Sequence, residues 1–249
     1  MPSYFVTGSS RGIGLGIVTQ LLQDPENLVI ATARSPATSQ GLQDLAAKYP
    51  KDRLILLTLD ISVPEQIVAV AEETSKLLPN GLDYFISNAA TSNQLLTTFE
   101  DLDPKLFADE ILEHTIPNLN LIHAFQPLIA RSKEKKALFI TSDLGSLTGA
   151  PIRPNLATPY CVGKAALNML VRKWGAAVKD KGIIPVLVHP GWVATDLGLG
   201  IDSWVQQHFP GLKPITTEQS AAGVLKIIQE ARLQDSAPYL NYDGAVIPW

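Results

Sequence analysis

The chain has 249 residues, 46% hydrophobic and 18% charged, with 20 Lys+Arg against 24 Asp+Glu, a composition that excludes disorder as the main state and offers no basic excess to neutralise nucleic acid. The single Cys161 rules out an intramolecular disulfide framework and points to a reducing compartment. No run approaches the ~18 uninterrupted apolar residues of a membrane helix, and no basic and apolar leader follows Met1, so a cytoplasmic protein without membrane contact is expected.

Short apolar runs alternate with helix-patterned stretches along the whole length, the mark of a parallel sheet covered by helices. Strands are predicted at residues 3–7, 28–33, 53–59, 82–87, 137–142 and 183–189, with a last one near Tyr239. Their continuous apolar character fits burial on both faces. Helices are predicted at 11–23, 40–49 and 64–78, as a pair spanning 104–132, and at 158–181 and 217–232. No repeat or Pro/Gly/Ser linker divides the chain. The expected fold is therefore a doubly wound parallel α/β sheet of the Rossmann type, three layers α/β/α, in one domain over residues 1–249.

Directly after the first strand comes Thr7-Gly8-Ser9-Ser10-Arg11-Gly12-Ile13-Gly14, opening a helix. Glycines there permit a tight turn and close backbone approach to a pyrophosphate, and a helix N-terminus favours the anion. An Asp or Glu holding the ribose 2′-hydroxyl of NAD is expected about 20 residues on. Instead the second strand ends Ala31-Thr32-Ala33-Arg34, with no acid between Leu28 and Gln43. Arg34 and Arg11 offer guanidinium donors suited to a 2′-phosphate, which favours NADP(H); a solvated loop cation is the alternative for Arg34. Further along, residues 192–214 form a long excursion containing Trp192, Trp204 and Phe209. It reads as a substrate lid, or as a surface loop with a short amphipathic helix.

Several motifs stand in one order: the glycine turn, Asp60-Ile61 after strand three, Ser87-Asn88-Ala89-Ala90 after strand four, Ser142 ending strand five, Tyr160-Cys161-Val162-Gly163-Lys164, and Pro190-Gly191-Trp192-Val193-Ala194-Thr195-Asp196 after strand six. In this the chain resembles the short-chain dehydrogenases/reductases over essentially its whole length. The ending from Asn241-Tyr242-Asp243-Gly244 to Ile247-Pro248-Trp249 resembles the C-factor-like branch, which includes fungal norsolorinic acid ketoreductase.

The resemblance implies that Gly8, Ser10, Arg11, Ile13 and Gly14 cradle the cofactor, that Asp60 and Ile61 flank its adenine, and that Asn88 and Ala89 pack its ribose and brace the sheet. Pro190, Gly191, Val193 and Thr195 would seat the nicotinamide and phosphates. Tyr160 would be the general acid/base, Lys164 would lower its pKa and hold the nicotinamide ribose, and Ser142 would donate to the substrate oxygen. Tyr160 and Lys164 are four apart on a predicted helix and so share a face. Ser142 precedes Tyr160 by 18 residues, more than the family's usual gap, so the insert from Ile152 to Leu156 is expected to bulge beside the substrate, with Ser146 as an alternative donor.

The family's catalytic Asn falls on His114, which could hold a water or face solvent; Asn118 and Asn120 are alternative registers. Pro117 would free the Glu113 carbonyl and bend the helix. Cys161 reads as a packing residue. His114, His123, His189 and His208 show no metal-ligand spacing, so no metal is expected. The leading expectation is an NADPH-dependent carbonyl reductase of a hydrophobic ketone, aromatic if Trp192, Trp204 and Phe209 line its path, assembled as a homodimer or homotetramer through the long helices around strand five. An NADP-binding sensor or scaffold, favoured by His114, and an imine or enone reductase are the alternatives.

Overall fold

The computed structural model describes residues 1–92, 94–233 and 237–249. The apolar runs become β1 (Ser3–Val6), β2 (Leu28–Ala33), β3 (Leu54–Thr58), β4 (Tyr84–Ser87), β5 (Lys136–Ile140), β6 (Ile184–His189) and β7 (Tyr239–Asn241). They form one parallel sheet in the order β3-β2-β1-β4-β5-β6-β7. Because the order reverses between β1 and β4, the loops after these strands part at the carboxyl edge and leave the crevice in which such sheets bind ligands.

Strand alternation sends successive side chains to opposite faces. On β1, Phe5 joins Phe85, Phe125, Phe139 and Trp174 beneath one helical layer, while Tyr4 and Val6 join Ile17, Val18, Ile86 and Val224 beneath the other. The first layer is α3 (Pro64–Leu77), α4 (Pro104–Arg131) and α5 (Thr158–Val178); the second is α1 (Gly12–Leu21), α2 (Gln40–Lys48) and α8 (Thr217–Glu230). The architecture is the doubly wound, three-layer α/β/α sheet of the sequence expectation. Among the described residues, no helix is long and apolar enough to cross a membrane.

One expectation is corrected. The pair of helices across 104–132 is a single helix, α4, running through Pro117 and Pro127. An interior proline costs about 3 kcal/mol, but α4 buries Leu121, Ile122, Phe125, Leu128 and Ile129, each contributing roughly 1.5–3 kcal/mol. Asp103 caps its start, accepting from the backbone N–H of Lys105 and Leu106. The excursion after β6 folds into two short helices, α6 (Asp196–Leu199) and α7 (Asp202–His208).

Candidate active site

The glycine turn is built for close approach. Gly8 has φ +67, and a Cβ there would stand 2.8 Å from Ala89 Cα. A Cβ on Gly14 would stand 2.2 Å from the Gly8 carbonyl oxygen and 2.6 Å from Asn88 Nδ2. Asn88 braces the turn, its side-chain amide donating to the carbonyls of Thr7 and Gly8 at 3.0 and 3.1 Å. Thr7 Oγ1 accepts from the backbone N–H of Asn88 and of Ala89, and Ser39 Oγ holds the Ser10 carbonyl at 2.9 Å. The N-terminus of α1 receives no side-chain cap and carries no acid in its first turn, so its N–H groups stay directed at the crevice. A phosphate-bearing dinucleotide fits this cradle.

The residues around the cradle differ in how engaged they are. Arg34, just past β2, is exposed. Arg11 is also exposed but paired: its Nη1 lies 2.6 Å from Asp196 Oδ2 on α6, bridging the glycine turn to the excursion. Asp60 holds the turn into α3, accepting from Ser62 N and Oγ at 2.9 and 2.7 Å; these bonds, with a smaller contribution from Arg34, hold its carboxyl below the usual range. Ile61 packs partly buried against the core. Pro190 is buried and its carbonyl accepts from Ser220 Oγ at 2.7 Å. Gly191 has φ +87 where a Cβ would meet Ile215 Cδ1 at 2.7 Å. Val193 is buried and bridges Ile215, and Thr195 caps α6 through the Gly198 N–H. Gly12, Ile13 and Ser10 complete the turn, with Thr195 Cγ2 3.2 Å from where a Gly12 Cβ would sit.

At the carboxyl end of β5 the acid–base candidates converge. Lys164 is 2% exposed and its Nζ donates to the Ile140 carbonyl at 3.0 Å, which brings it to the strand end that carries Ser142. Its Nζ is 5.4 Å from the centroid of the Tyr160 ring, one helical turn back. Burial pushes the Tyr160 phenol above its ordinary value, a hydrogen bond with Ser142 acting the other way. Burial pushes the Lys164 ammonium down to about 8. Ser146 is used elsewhere, donating to the Pro248 carbonyl at 2.6 Å, so Ser142 is the serine that meets Tyr160.

His114 is the α4 residue that meets Tyr160, edge-on, with ring centroids 5.1 Å apart and planes at 86°. It is 2% exposed, not solvent-facing. Burial, helped by the Lys164 charge, pushes its pKa down to about 3, so the imidazole is neutral. Its Nε2 is buried without a hydrogen-bond partner, 4.0 Å from Oε1 of the fully buried Glu110. Glu110 in turn accepts from Ser92 Oγ. Asn118 is tied to Ser87 Oγ and to the His114 carbonyl, at 2.7 and 2.8 Å, which settles the register of α4 against the tyrosine.

The insert between Ser142 and Tyr160 carries two residues in the left-handed region, Asn155 (φ 59) and Ala157 (φ 49), held by Asn155 Oδ1 on the Phe99 N–H and by the Leu95 carbonyl on the Ala157 N–H. Arg153 pairs with Asp143 at 2.8 Å, and His189 Nε2 stands 3.4 Å from the same carboxylate. A cavity of about 420 Å³ lies between the insert and the Cys161 side of α5, lined by Phe99, Leu144, Leu147, Leu156 and Val162 among others. Cys161 Sγ donates to the Leu156 carbonyl at 3.3 Å, and burial pushes the thiol up to about 11. In the excursion, Trp192 Nε1 donates to the Gly198 carbonyl and Trp204 stacks on His208 at 4.0 Å. Among the described residues, no three His, Cys, Asp or Glu side chains come together as metal ligands.

Glu110, Asp143 and Tyr239, which the sequence did not single out, all contact this site or its loops. No local pattern marks them, because their partners lie far along the chain or, for Glu110, one turn away on a helix face whose burial the sequence does not show.

The family model described as short chain dehydrogenase matches residues 3–206. The uncharacterized oxidoreductase C663.08c of Schizosaccharomyces pombe is 29% identical over 255 aligned residues, covering 99% of this chain and 97% of its own. Among solved structures, the NADPH-bound carbonyl reductase from chicken fatty liver superposes with a TM-score of 0.87 at 32% identity, over 100% of this chain and 99% of that one. A carbonyl reductase from Pseudomonas aeruginosa in complex with NADP superposes with a TM-score of 0.80 at 30% identity, over the whole of both chains.

Proposed function

This chain belongs to the short-chain dehydrogenase family, and from that premise we propose that it is an NADPH-dependent ketoreductase acting on hydrophobic ketones. The observation that carries the proposal is the convergence of Ser142, Tyr160 and Lys164 at the end of β5 beside a glycine cradle suited to a dinucleotide. Carbonyl reductases with NADPH or NADP bound among the structural relatives support the cofactor and the reaction class.

NADPH, when bound, would supply a hydride for the carbonyl carbon, so that negative charge develops on the carbonyl oxygen. Tyr160 delivers its Oη proton to that oxygen, and Ser142 Oγ donates a hydrogen bond to it, so charge is met where it develops. Lys164 sets its positive charge beside the phenol, stabilising the phenolate left behind. The α1 N-terminus, with Gly8, Ser10, Ile13 and Gly14, would take the pyrophosphate. Arg34 and Arg11 would take the 2′-phosphate. Asp60 and Ile61 would border the adenine, and Asn88 and Ala89 its ribose. Pro190, Gly191, Val193 and Thr195 would border the nicotinamide end.

The single-domain organisation over 1–249, with residues 192–214 closing as a lid, belongs to the same proposal, the Arg11–Asp196 pair being a contact such closure would use. Exposed Leu112 and Ile116 on α4 and Met169 on α5 support assembly as a homodimer or homotetramer through these helices. A binding-only sensor has no use for three convergent acid–base groups. The ending 241–249 supports the C-factor-like branch, and a single cysteine is compatible with a cytoplasmic location.

The test follows NADPH oxidation by the purified chain with a panel of aryl ketones, aliphatic ketones, imines and small polar carbonyls. Preference for the hydrophobic ketones, and loss of turnover with retained NADPH binding in Tyr160→Phe, are expected. Full turnover by Tyr160→Phe, or preference for small polar carbonyls, would overturn the reading.

A further inference from the structure

The loop that carries Ser142 is held by residues about a hundred positions away. The Ser142 carbonyl accepts two hydrogen bonds, from the Gly145 N–H at 2.9 Å and from the phenol of Tyr239. Tyr239 is 1% exposed, and burial raises its pKa, so it keeps the proton it donates. After β7 the chain turns at Gly244 (φ +91) and doubles back, Val246 bridging Leu240 in antiparallel fashion and the Ile247 N–H returning to the Tyr239 carbonyl at 2.9 Å.

The returning segment meets the serine loop directly. Ser146 Oγ donates to the Pro248 carbonyl at 2.6 Å, and Thr148 donates through both its N–H and its Oγ1 to the Trp249 carbonyl, at 3.0 and 2.6 Å. The Trp249 indole lies against the Tyr239 ring, centroids 5.1 Å apart, and the Arg172 guanidinium of α5 sits 4.4 Å over its face. Trp249 thus touches the serine loop, the strand-borne Tyr239 and the helix that carries Tyr160 and Lys164. The loop has further ties through Asp143, paired with Arg153 at 2.8 Å, and through Asn168, whose Nδ2 reaches the Gly145 carbonyl at 3.5 Å.

We propose that Tyr239 and Trp249 are positioning residues for ketone reduction, fixing the Ser142 hydroxyl relative to Tyr160. The inference rests on the reductase reading above. Misplacing a reacting or hydrogen-bonding group by about 1 Å can cost on the order of 100-fold. The Tyr239 phenol and the Trp249 carbonyl hold the loop directly, and the Trp249 indole, packed on Tyr239 and Arg172, fixes that carbonyl. The contacts named for them lie on the serine loop and α5 and not on the glycine turn, so the pyrophosphate cradle is left in place in their variants.

The test uses the whole chain with Tyr239→Phe, Trp249→Ala and Trp249→Phe. It measures kcat and KM for the preferred ketone, NADPH affinity, and hydrogen exchange at the amides of Leu144, Gly145 and Thr148. Expected are a fall in kcat of about 10-fold for Tyr239→Phe and 10- to 100-fold for Trp249→Ala, recovery to within about threefold for Trp249→Phe, faster exchange in the loop, and NADPH affinity within about twofold of the parent in all three. The inference is overturned by unchanged kcat, by unchanged loop exchange, or by a loss of NADPH affinity matching the loss of kcat. Should the parent protein reduce no ketone, the reductase reading fails, and the exchange rates alone decide whether Tyr239 and Trp249 hold the loop.

Discussion

His114 occupies the space that a side chain at Gly163 would need: a Cβ there would stand 2.5 Å from the imidazole Cδ2 and 3.1 Å from its Cγ. The two positions are therefore complementary in volume, and the ring wedged between them abuts Tyr160. Gly163→Ala should gain up to about 1 kcal/mol of helix propensity but force the ring aside at a cost of roughly 1–3 kcal/mol, lowering kcat by about 10-fold. His114→Asn vacates the space, so the double variant His114→Asn/Gly163→Ala should recover much of the stability and rate lost in Gly163→Ala. A double-mutant cycle on Tm and kcat measures the coupling; strict additivity would refute it.

Arg34 carries the cofactor preference in the proposed reading. A charge-assisted hydrogen bond contributes about 1.5–3 kcal/mol, so Arg34→Ala should raise the Kd for NADPH by roughly 10- to 100-fold while moving that for NADH by less than about twofold. Fluorescence titration with both cofactors reads this directly, and parallel losses for the two would show Arg34 to be a general surface cation.

Asp196 competes with a phosphate for Arg11. Both side chains are 76% exposed, and an exposed pair contributes at most about 1 kcal/mol, so Asp196→Asn should leave Tm nearly unchanged. Releasing Arg11 should tighten NADPH binding by about two- to fivefold at low ionic strength, an effect that shrinks as salt screens the charges. Weaker NADPH binding would mean that the bridge to α6 matters more to the closed site than the freed guanidinium.

Lys164 is a charge kept at a cost. Its pKa is pushed down to about 8 from 10.5 in the folded state, so below about pH 8 the folded chain bears the full penalty of a buried ammonium, on the order of 3 kcal/mol. Between pH 8 and 10.5 the unfolded chain binds more protons, and the Lys164 contribution becomes less unfavourable as pH rises. Lys164→Met should therefore lose activity yet unfold at a higher temperature than the parent at pH 7, with the advantage narrowing toward pH 10. A variant less stable than the parent at pH 7 would show the bond to the Ile140 carbonyl to outweigh the burial cost.

Elements whose logic is local were legible in the sequence. Residues 28–33 are the strand β2, and the glycine turn stands where the apolar run meets the helix pattern. The break expected inside 104–132 failed because local proline rules were read without the buried face of α4, which a single sequence does not reveal. His114 was legible as a position and not as an environment: its burial depends on Gly163, 49 residues on. The clamp of Tyr239 and Trp249 on the serine loop had no signal beyond the family likeness of the ending, since neither hydrogen bonds to a carbonyl nor ring stacking leave a periodicity.

The thiol of Cys161 has a practical consequence for anyone handling this protein. With a pKa near 11, only about 10⁻⁴ of it is thiolate at pH 7, and the thiolate is the reactive form. Alkylating reagents and mild oxidants should pass the native chain by and capture it once the packing around Leu156 opens. With one cysteine in the sequence, each covalent adduct then counts a single opening event, so the molecule carries its own recorder of unfolding.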